Sequence, residues 1–189
     1  ALFAQLLAAH RAEQGNDMRK IAFSMWSVET MRHLGVLEAQ IFHALGVRPI
    51  WNDAGRITDT EIIPRNELGR PRVDVVVSAT GLYRDHFPNV MRHIAQAIEK
   101  VAALDEPDNA VRLNTLALER NLLAQGYSTE DAREYALARI FSNQSGTYGT
   151  GLDDATLASD TWDDEKKLAE LYLDRMQYIY GPTEARWGH

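Results

Sequence analysis

The sequence predicts an α/β fold, a Rossmann-like three-layer arrangement with a parallel sheet flanked by helices, followed by a mainly helical region. Three observations predict it. Val73, Val75, Val76 and Val77 form a nearly continuous β-branched run, the pattern of a strand covered on both faces. Through the first half of the chain, apolar runs of strand length alternate with stretches of helical periodicity, which favours parallel strands joined by right-handed crossovers. After the sequence DEPDN at 105–109 the alternation stops and helical patterns take over.

Residues 1–13 have helical character, and Gly15, Asn16 and Asp17 break it, giving a first helical unit over 1–17. KIAFSMW at 20–26 reads as a short buried strand. Ser27 is placed to cap a helix over 29–45, in which Met31, Leu34, Leu37, Ile41, Phe42 and Leu45 recur at helical spacing. Gly46 suits the end of that helix. Residues 47–51 form a second strand, NDAGR a turn, and 57–63 a hairpin arm or edge strand closed by Pro64. The valine strand runs over 73–79, and Pro88 opens a helix reaching to about Leu104. Together these make an α/β domain over 18–106. The remainder, 107–189, is expected to be a helical region packed on it, with helices over 110–125, 129–141 and 162–180 and no strand. Ser128 with Asp131, and Thr161 with Asp164, have the spacing of capping boxes. With Asp163, these carboxylates are assigned to helix ends rather than to a ligand.

A chain of 189 residues can build one sizeable core, or one core with a helical appendage. Its 20 Lys and Arg against 27 Asp and Glu, spread without a basic stripe, argue against a nucleic-acid partner. The absence of cysteine excludes disulfides, thiolate zinc sites and nucleophilic thiols. ALFAQLLAA is too short to span a bilayer and has no basic leader, so no membrane association is expected and the default location is cytoplasmic.

Candidate chemistry concentrates where the valine strand ends. Ser78, Thr80, Gly81, Tyr83, Arg84, Asp85 and His86 follow it, at the carboxyl rim where open α/β sheets hold ligands. Arg84 can clasp a carboxylate bidentately, with Asp85 orienting it or accepting a proton; alternatively Arg84 pairs internally with Asp85 or Asp74 and holds the turn. Glu29 and His33, four residues apart, share a helix face at the same rim if the first and valine strands are adjacent and parallel. Such a pair can bind a divalent metal or relay protons; as a plain helix start, Glu29 would favour the dipole and His33 would bond to backbone. Glu38 and His43 point apart, and His43 and His93 are read as helix-surface residues. NQSGTYGTGL at 143–152 is glycine-rich but lacks the Lys-Ser or Lys-Thr and the preceding strand of a P-loop. Either Asn143, Ser145 and Tyr148 line the cleft, or the glycines serve a helix-to-helix connection. Among tryptophans 26, 51, 162 and 187, Trp26 ends a strand beside the rim and can stack on a planar ligand; the others are expected in the core.

Three stretches carry a family resemblance: LGRPRVDVVVSATGLYRDHFPNVM at 68–91, SMWSVETMRHLGVLEAQIFHALGVRPIW at 24–51, and RIFSNQSGTYGTGLDDATLASDTWDDEKKLAELYL at 139–173. They resemble the large subunit of cobaltochelatase, in the CobN and magnesium chelatase H-subunit family. The resemblance implies insertion of a metal ion into a tetrapyrrole, with ATP hydrolysed on ring-forming partner subunits and not on this chain. Members are far longer, so the chain is expected to be a fragment without activity of its own. WSVETMRHLG and ATGLYRDHFPN resemble the cobalt branch, implying Co(II) as substrate metal and hydrogenobyrinic acid a,c-diamide as acceptor in cobalamin biosynthesis. The alternatives are magnesium insertion into protoporphyrin IX, and a docking module that meets the ATPase subunits through helix faces such as 119–133. Under the resemblance, Glu29, His33 and Asp85 are the candidate catalytic groups, with Glu29 and His33 as metal ligands that could also relay the two pyrrole protons. Trp26, Thr80, Tyr83, Arg84, Ser145 and Tyr148 are the candidate substrate contacts.

Overall fold

Residues 2–158 and 164–188 are described by a computed structural model. Helix α1 (Leu2–Gln14) buries Phe3, whose ring meets His43 edge-on at 5.5 Å. Strand β1 (Lys20–Met25) leads into α2 (Ser27–His33) and α3 (Val36–Leu45). The single helix expected over 29–45 is broken, because Leu34 and Gly35 both take left-handed conformations, at φ 54° and 80°. His33 Nδ1 accepts the Val36 backbone N–H at 3.0 Å and fixes the break.

Strands β2 (Val47–Trp51) and β3 (Ile57–Ile62) form an antiparallel hairpin of their own, separate from the main sheet. Lys100 holds the hairpin to the helix over Pro88–Ala102, donating to Asp59 Oδ1 at 2.5 Å and to the Thr60 carbonyl at 2.9 Å. A short helix α4 (Arg65–Leu68) then leads to β4 (Asp74–Ala79), which pairs with β1 in parallel from Lys20 opposite Asp74 to Met25 opposite Ala79. Val75, Val77 and Ala79 are fully buried, whereas Val76 and Ser78 between them are half-buried, so the two faces of this strand are covered unequally. Each fully buried valine contributes about 1.5–3 kcal/mol by leaving water. Next come α5 (Gly81–His86) and α6 (Pro88–Ala102). They separate at Phe87, since a residue before proline disfavours the helical region.

The second half holds α7 (Ala110–Ala124), α8 (Thr129–Leu137), β5 (Ile140–Ser142), α9 (Leu152–Leu157), α10 (Glu165–Arg175) and β6 (Tyr178–Ile179). The absence of strands expected here is overturned. β5 runs parallel to β4, with Val77 opposite Ile140 and Ala79 opposite Ser142, and β6 pairs antiparallel to β5, giving the order β1-β4-β5-β6. The helix expected to reach Phe141 stops at Leu137 because Arg139 is drawn into the sheet. Its Nε donates to the fully buried Asp74 at 2.9 Å, and its Nη1 to the carbonyls of Ala136 and Ala138. Asp74 therefore pairs with Arg139 and not with Arg84.

Ser128 caps α8, accepting the Asp131 N–H at 3.0 Å, and Asp164 caps α10, accepting from Lys166 at 2.9 Å. Thr161, Trp162 and Asp163 lie outside the described residues. Among the described residues no helix is long and apolar enough to cross a membrane.

Candidate functional site

The carboxyl ends of β1, β4 and β5 point the same way, and this common rim places Trp26, Thr80 and Asn143 around one small cleft of about 170 Å³. Thr80 caps α5, its hydroxyl accepting the Tyr83 N–H at 3.3 Å. The glycine-rich loop after β5 lies directly on the start of α5. A Cβ at Gly81 would stand 2.5 Å from the Thr147 carbonyl and 2.9 Å from the Tyr148 ring. Tyr148 then donates to Asp85 Oδ2 at 2.6 Å, while Arg84 Nε donates to Asp85 Oδ1 at 2.8 Å. Arg84 is 5% exposed, and its Nη1 donates to the carbonyls of Asn143 and Gln144, both at 2.9 Å. The internal Arg84–Asp85 pair is thus formed, and Nη2 alone lacks a partner. The hydrogen bond from Arg84, assisted by that from Tyr148, holds the Asp85 carboxyl below its usual pKa; the Tyr148 phenol, bonded to that carboxylate, is raised.

Trp26, Thr80, Arg84, Asp85 and Tyr148 are therefore brought together. Ser145 sits exposed on the loop and lines neither this cleft nor the larger cavity described below. Glu29 and His33 are on α2 as expected, but Glu29 pairs with Arg32 at 3.0 Å and His33 spends Nδ1 on the α2–α3 break. Among the described residues no cluster of three or more His, Asp or Glu side chains is arranged to hold a metal ion.

A second and larger cavity, of about 780 Å³, lies between α2 and α3, the β2–β3 hairpin, and α5 with the start of α6. Its walls are mostly apolar, with Met31, Leu34, Phe42, Trp51, Ile57 and Val90 among them. Its volume falls in the range of about 300–1,000 Å³ typical of ligand sites, whereas the rim cleft is below it. The two spaces adjoin through one hydrogen bond, Ser27 Oγ to His86 Nδ1 at 2.7 Å, with Ser27 in the lining of the cleft and His86 in that of the cavity.

Two polar residues of this cavity were missed by sequence reasoning. Glu38 is 5% exposed and His93 is 9% exposed. Glu38 Oε1 accepts from Thr30 Oγ1 at 2.8 Å; Glu38 Oε2 and His93 Nδ1 have no partner. Tyr83 is fully buried behind Glu38, and burial together with that neighbouring carboxylate raises its phenol, which stays protonated. A signal was available in the helical spacing, for Glu38 stands three residues before Ile41 and four before Phe42, on the buried face of α3.

A parallel-strand rim beside a large, mostly apolar cavity is an arrangement in which α/β domains commonly hold ligands. Comparison with known proteins makes this specific. The CobN/Magnesium Chelatase family model matches residues 1–188, and the chain belongs to that family. It is 41% identical over 185 residues to the aerobic cobaltochelatase subunit CobN of Pseudomonas aeruginosa, covering 95% of this chain and 14% of that protein. The chloroplastic magnesium-chelatase subunit ChlH of Oryza sativa subsp. indica is 35% identical over 179 residues, covering 93% of this chain and 12% of that protein. The catalytic subunit of cobaltochelatase from Mycobacterium tuberculosis superposes with a TM-score of 0.85 at 38% identity, over 95% of this chain and 15% of that one.

Proposed function

We propose that the chain is part of the large, tetrapyrrole-binding subunit of a cytoplasmic ATP-dependent cobaltochelatase. The complete enzyme would insert Co(II) into hydrogenobyrinic acid a,c-diamide in cobalamin biosynthesis, with ATP hydrolysed on partner subunits. The observation that carries this reading is the mostly apolar cavity of about 780 Å³, whose lining includes the buried Glu38 on α3 and the imidazoles of His86 and His93 on α5 and α6. In this reading the ring occupies the cavity and one side arm reaches past the Ser27–His86 bond into the rim cleft at Trp26, Thr80 and Tyr148. The wording of WSVETMRHLG and ATGLYRDHFPN, which resembles the cobalt branch, favours cobalt over magnesium. The chain covers about one seventh of those relatives and is expected not to turn over by itself.

Titrating the chain with a hydrogenobyrinic acid diamide and with protoporphyrin IX, while following tryptophan fluorescence, tests the proposal. Saturable quenching by the corrinoid alone supports it; saturation by protoporphyrin alone moves the reading to magnesium insertion. No quenching by either favours a docking role toward ATPase subunits. That second reading has its own support in the exposed Leu113, Leu116 and Leu123 along α7.

A further inference from the structure

The hairpin wall of the large cavity carries one unpaired cation. Arg56 is exposed and belongs to the lining together with Trp51, Asn52, Gly55 and Thr58, which are exposed as well, so the hairpin turn forms an open edge of the cavity. Among the described residues Arg56 is the only lysine or arginine that lines either the cavity or the rim cleft. Its backbone is fixed on both sides. Asn52 Oδ1 accepts the Arg56 N–H at 3.0 Å, and the Asn52 N–H donates to the Arg56 carbonyl at 3.0 Å. The guanidinium, by contrast, has no hydrogen-bond or ion-pair partner among the described residues, and Asp53 of the same turn does not engage it. Arg48, the other arginine of the hairpin, is paired with Glu67. A free guanidinium at the edge of mostly apolar walls suits a ligand with an apolar body and an acidic margin. Both candidate macrocycles have that form, a ring bearing carboxylic acid side arms.

We infer that Arg56 binds a carboxylate side arm of a tetrapyrrole seated in this cavity and thereby sets which edge of the ring faces the hairpin. The guanidinium presents a planar fork of N–H donors that matches both oxygens of a carboxylate. With the ring against Met31, Phe42 and Trp51, the arm lies at the exposed turn and keeps part of its water, so the pair avoids the desolvation cost of a buried one. An arm carried as an amide or an ester keeps the apolar contacts and loses the charge. Arg56 therefore selects for the free acid over its neutral derivatives at that one position. This inference rests on the cavity being the tetrapyrrole site.

The test uses the full-length subunit and whichever of a hydrogenobyrinic acid diamide and protoporphyrin IX it binds, titrated as the free acid and as its methyl ester. Arg56→Ala is expected to weaken binding of the free acid about tenfold and to leave binding of the ester within about twofold of wild type. Arg56→Glu should weaken binding of the acid further. The wild-type preference for acid over ester should fall as salt rises, and Arg56→Ala should blunt that dependence. The hydrogen bonds that hold the turn come from backbone groups and Asn52, so Arg56→Ala should keep the wild-type Tm. An unchanged Kd for the free acid, or an equal loss for acid and ester, would overturn the inference. Ala39→Trp tests the underlying reading separately, because Ala39 is exposed at the cavity and a large ring there obstructs it. If Ala39→Trp binds the free acid as wild type does, or the wild-type subunit binds neither macrocycle, the cavity reading fails and the inference with it. If Ala39→Trp blocks binding while Arg56→Ala treats acid and ester as wild type does, the inference alone fails.

Discussion

Arg72 and Glu106 form a two-pronged ion pair, Nε to Oε2 at 2.8 Å and Nη2 to Oε1 at 2.9 Å, with the guanidinium fully buried. The same guanidinium donates to the carbonyls of Leu45, Gly46 and Ile63, so one side chain ties the end of α3 to the end of β3 and the start of β4. Gly46 makes room for it: its φ of 75° is left-handed, and a Cβ there would lie 2.5 Å from Arg72 Nη1. Glu106→Ala would leave the buried cation facing only carbonyl dipoles. Loss of one partner of a buried pair costs about 3–5 kcal/mol, and the surviving bonds place this case at the lower end. Urea unfolding of the variant should show a lower midpoint with an unchanged slope; a shift too small to resolve would mean that the carbonyls alone hold Arg72.

The Arg84–Asp85–Tyr148 chain makes the glycine-rich loop sensitive to acid. The Asp85 pKa is held below the usual 3.8, so its contribution to stability is fully present above that value and is lost as the pH falls through the lower, folded-state value. The effect is modest, because the Asp85 side chain is 37% exposed and solvent screens it. Asp85→Asn should flatten the acid limb of a stability-against-pH curve between about pH 2 and 4, leaving stability near neutrality within about 1 kcal/mol of wild type. Equal acid limbs in the two proteins would locate the sensitivity elsewhere.

Gly81→Ala tests how closely the loop rests on α5. Its backbone conformation is open to any residue, so the cost comes from the methyl group meeting the Thr147 carbonyl and the Tyr148 ring. Overpacking of this kind costs about 1–3 kcal/mol. Because Tyr148 must move, proteolytic cleavage within 144–150 should accelerate more than the global midpoint falls. A drop in midpoint with the loop equally protected would show that α5, not the loop, gave way.

The parts of the fold legible in the sequence were those in which local pattern and tertiary environment agree. The valine strand, the amphipathic α6 and the Ser128 cap are examples. β5 was hidden because it is three residues long and continues the apolar spacing of α8; only the pairing of Arg139 with Asp74, sixty-five residues away, ends the helix there. The hairpin was read, but its detachment from the main sheet depends on docking against α6 through Lys100, which no local pattern encodes. At the site, Trp26, Thr80 and Asp85 were visible because motif residues after a buried strand fall at its carboxyl rim. Glu38 was passed over because it was weighed only against His43, whereas its burial follows from its place among the apolar residues of α3.

Two exposed tryptophans report on different spaces. Trp51 is 57% exposed in the wall of the large cavity, and Trp26 is 55% exposed in the rim cleft, where its Nε1 donates to Ser24 Oγ at 3.1 Å. Trp187 is half-buried against Tyr180, with its indole N–H bonded to the Gly181 carbonyl, and should change little on binding. A macrocycle in the large cavity should stack on or near Trp51, so Trp51→Phe should remove most of the quenching produced by a hydrogenobyrinic acid diamide, with at most a severalfold weaker Kd. Trp26→Phe should leave most of the quenching and weaken Kd only slightly, since the rim cleft of about 170 Å³ can admit a side arm but not a ring. The reverse result, with the signal lost in Trp26→Phe and kept in Trp51→Phe, would place the ring at the strand rim and transfer the ligand-facing role from the cavity wall to Thr80, Tyr148 and the loop that carries it.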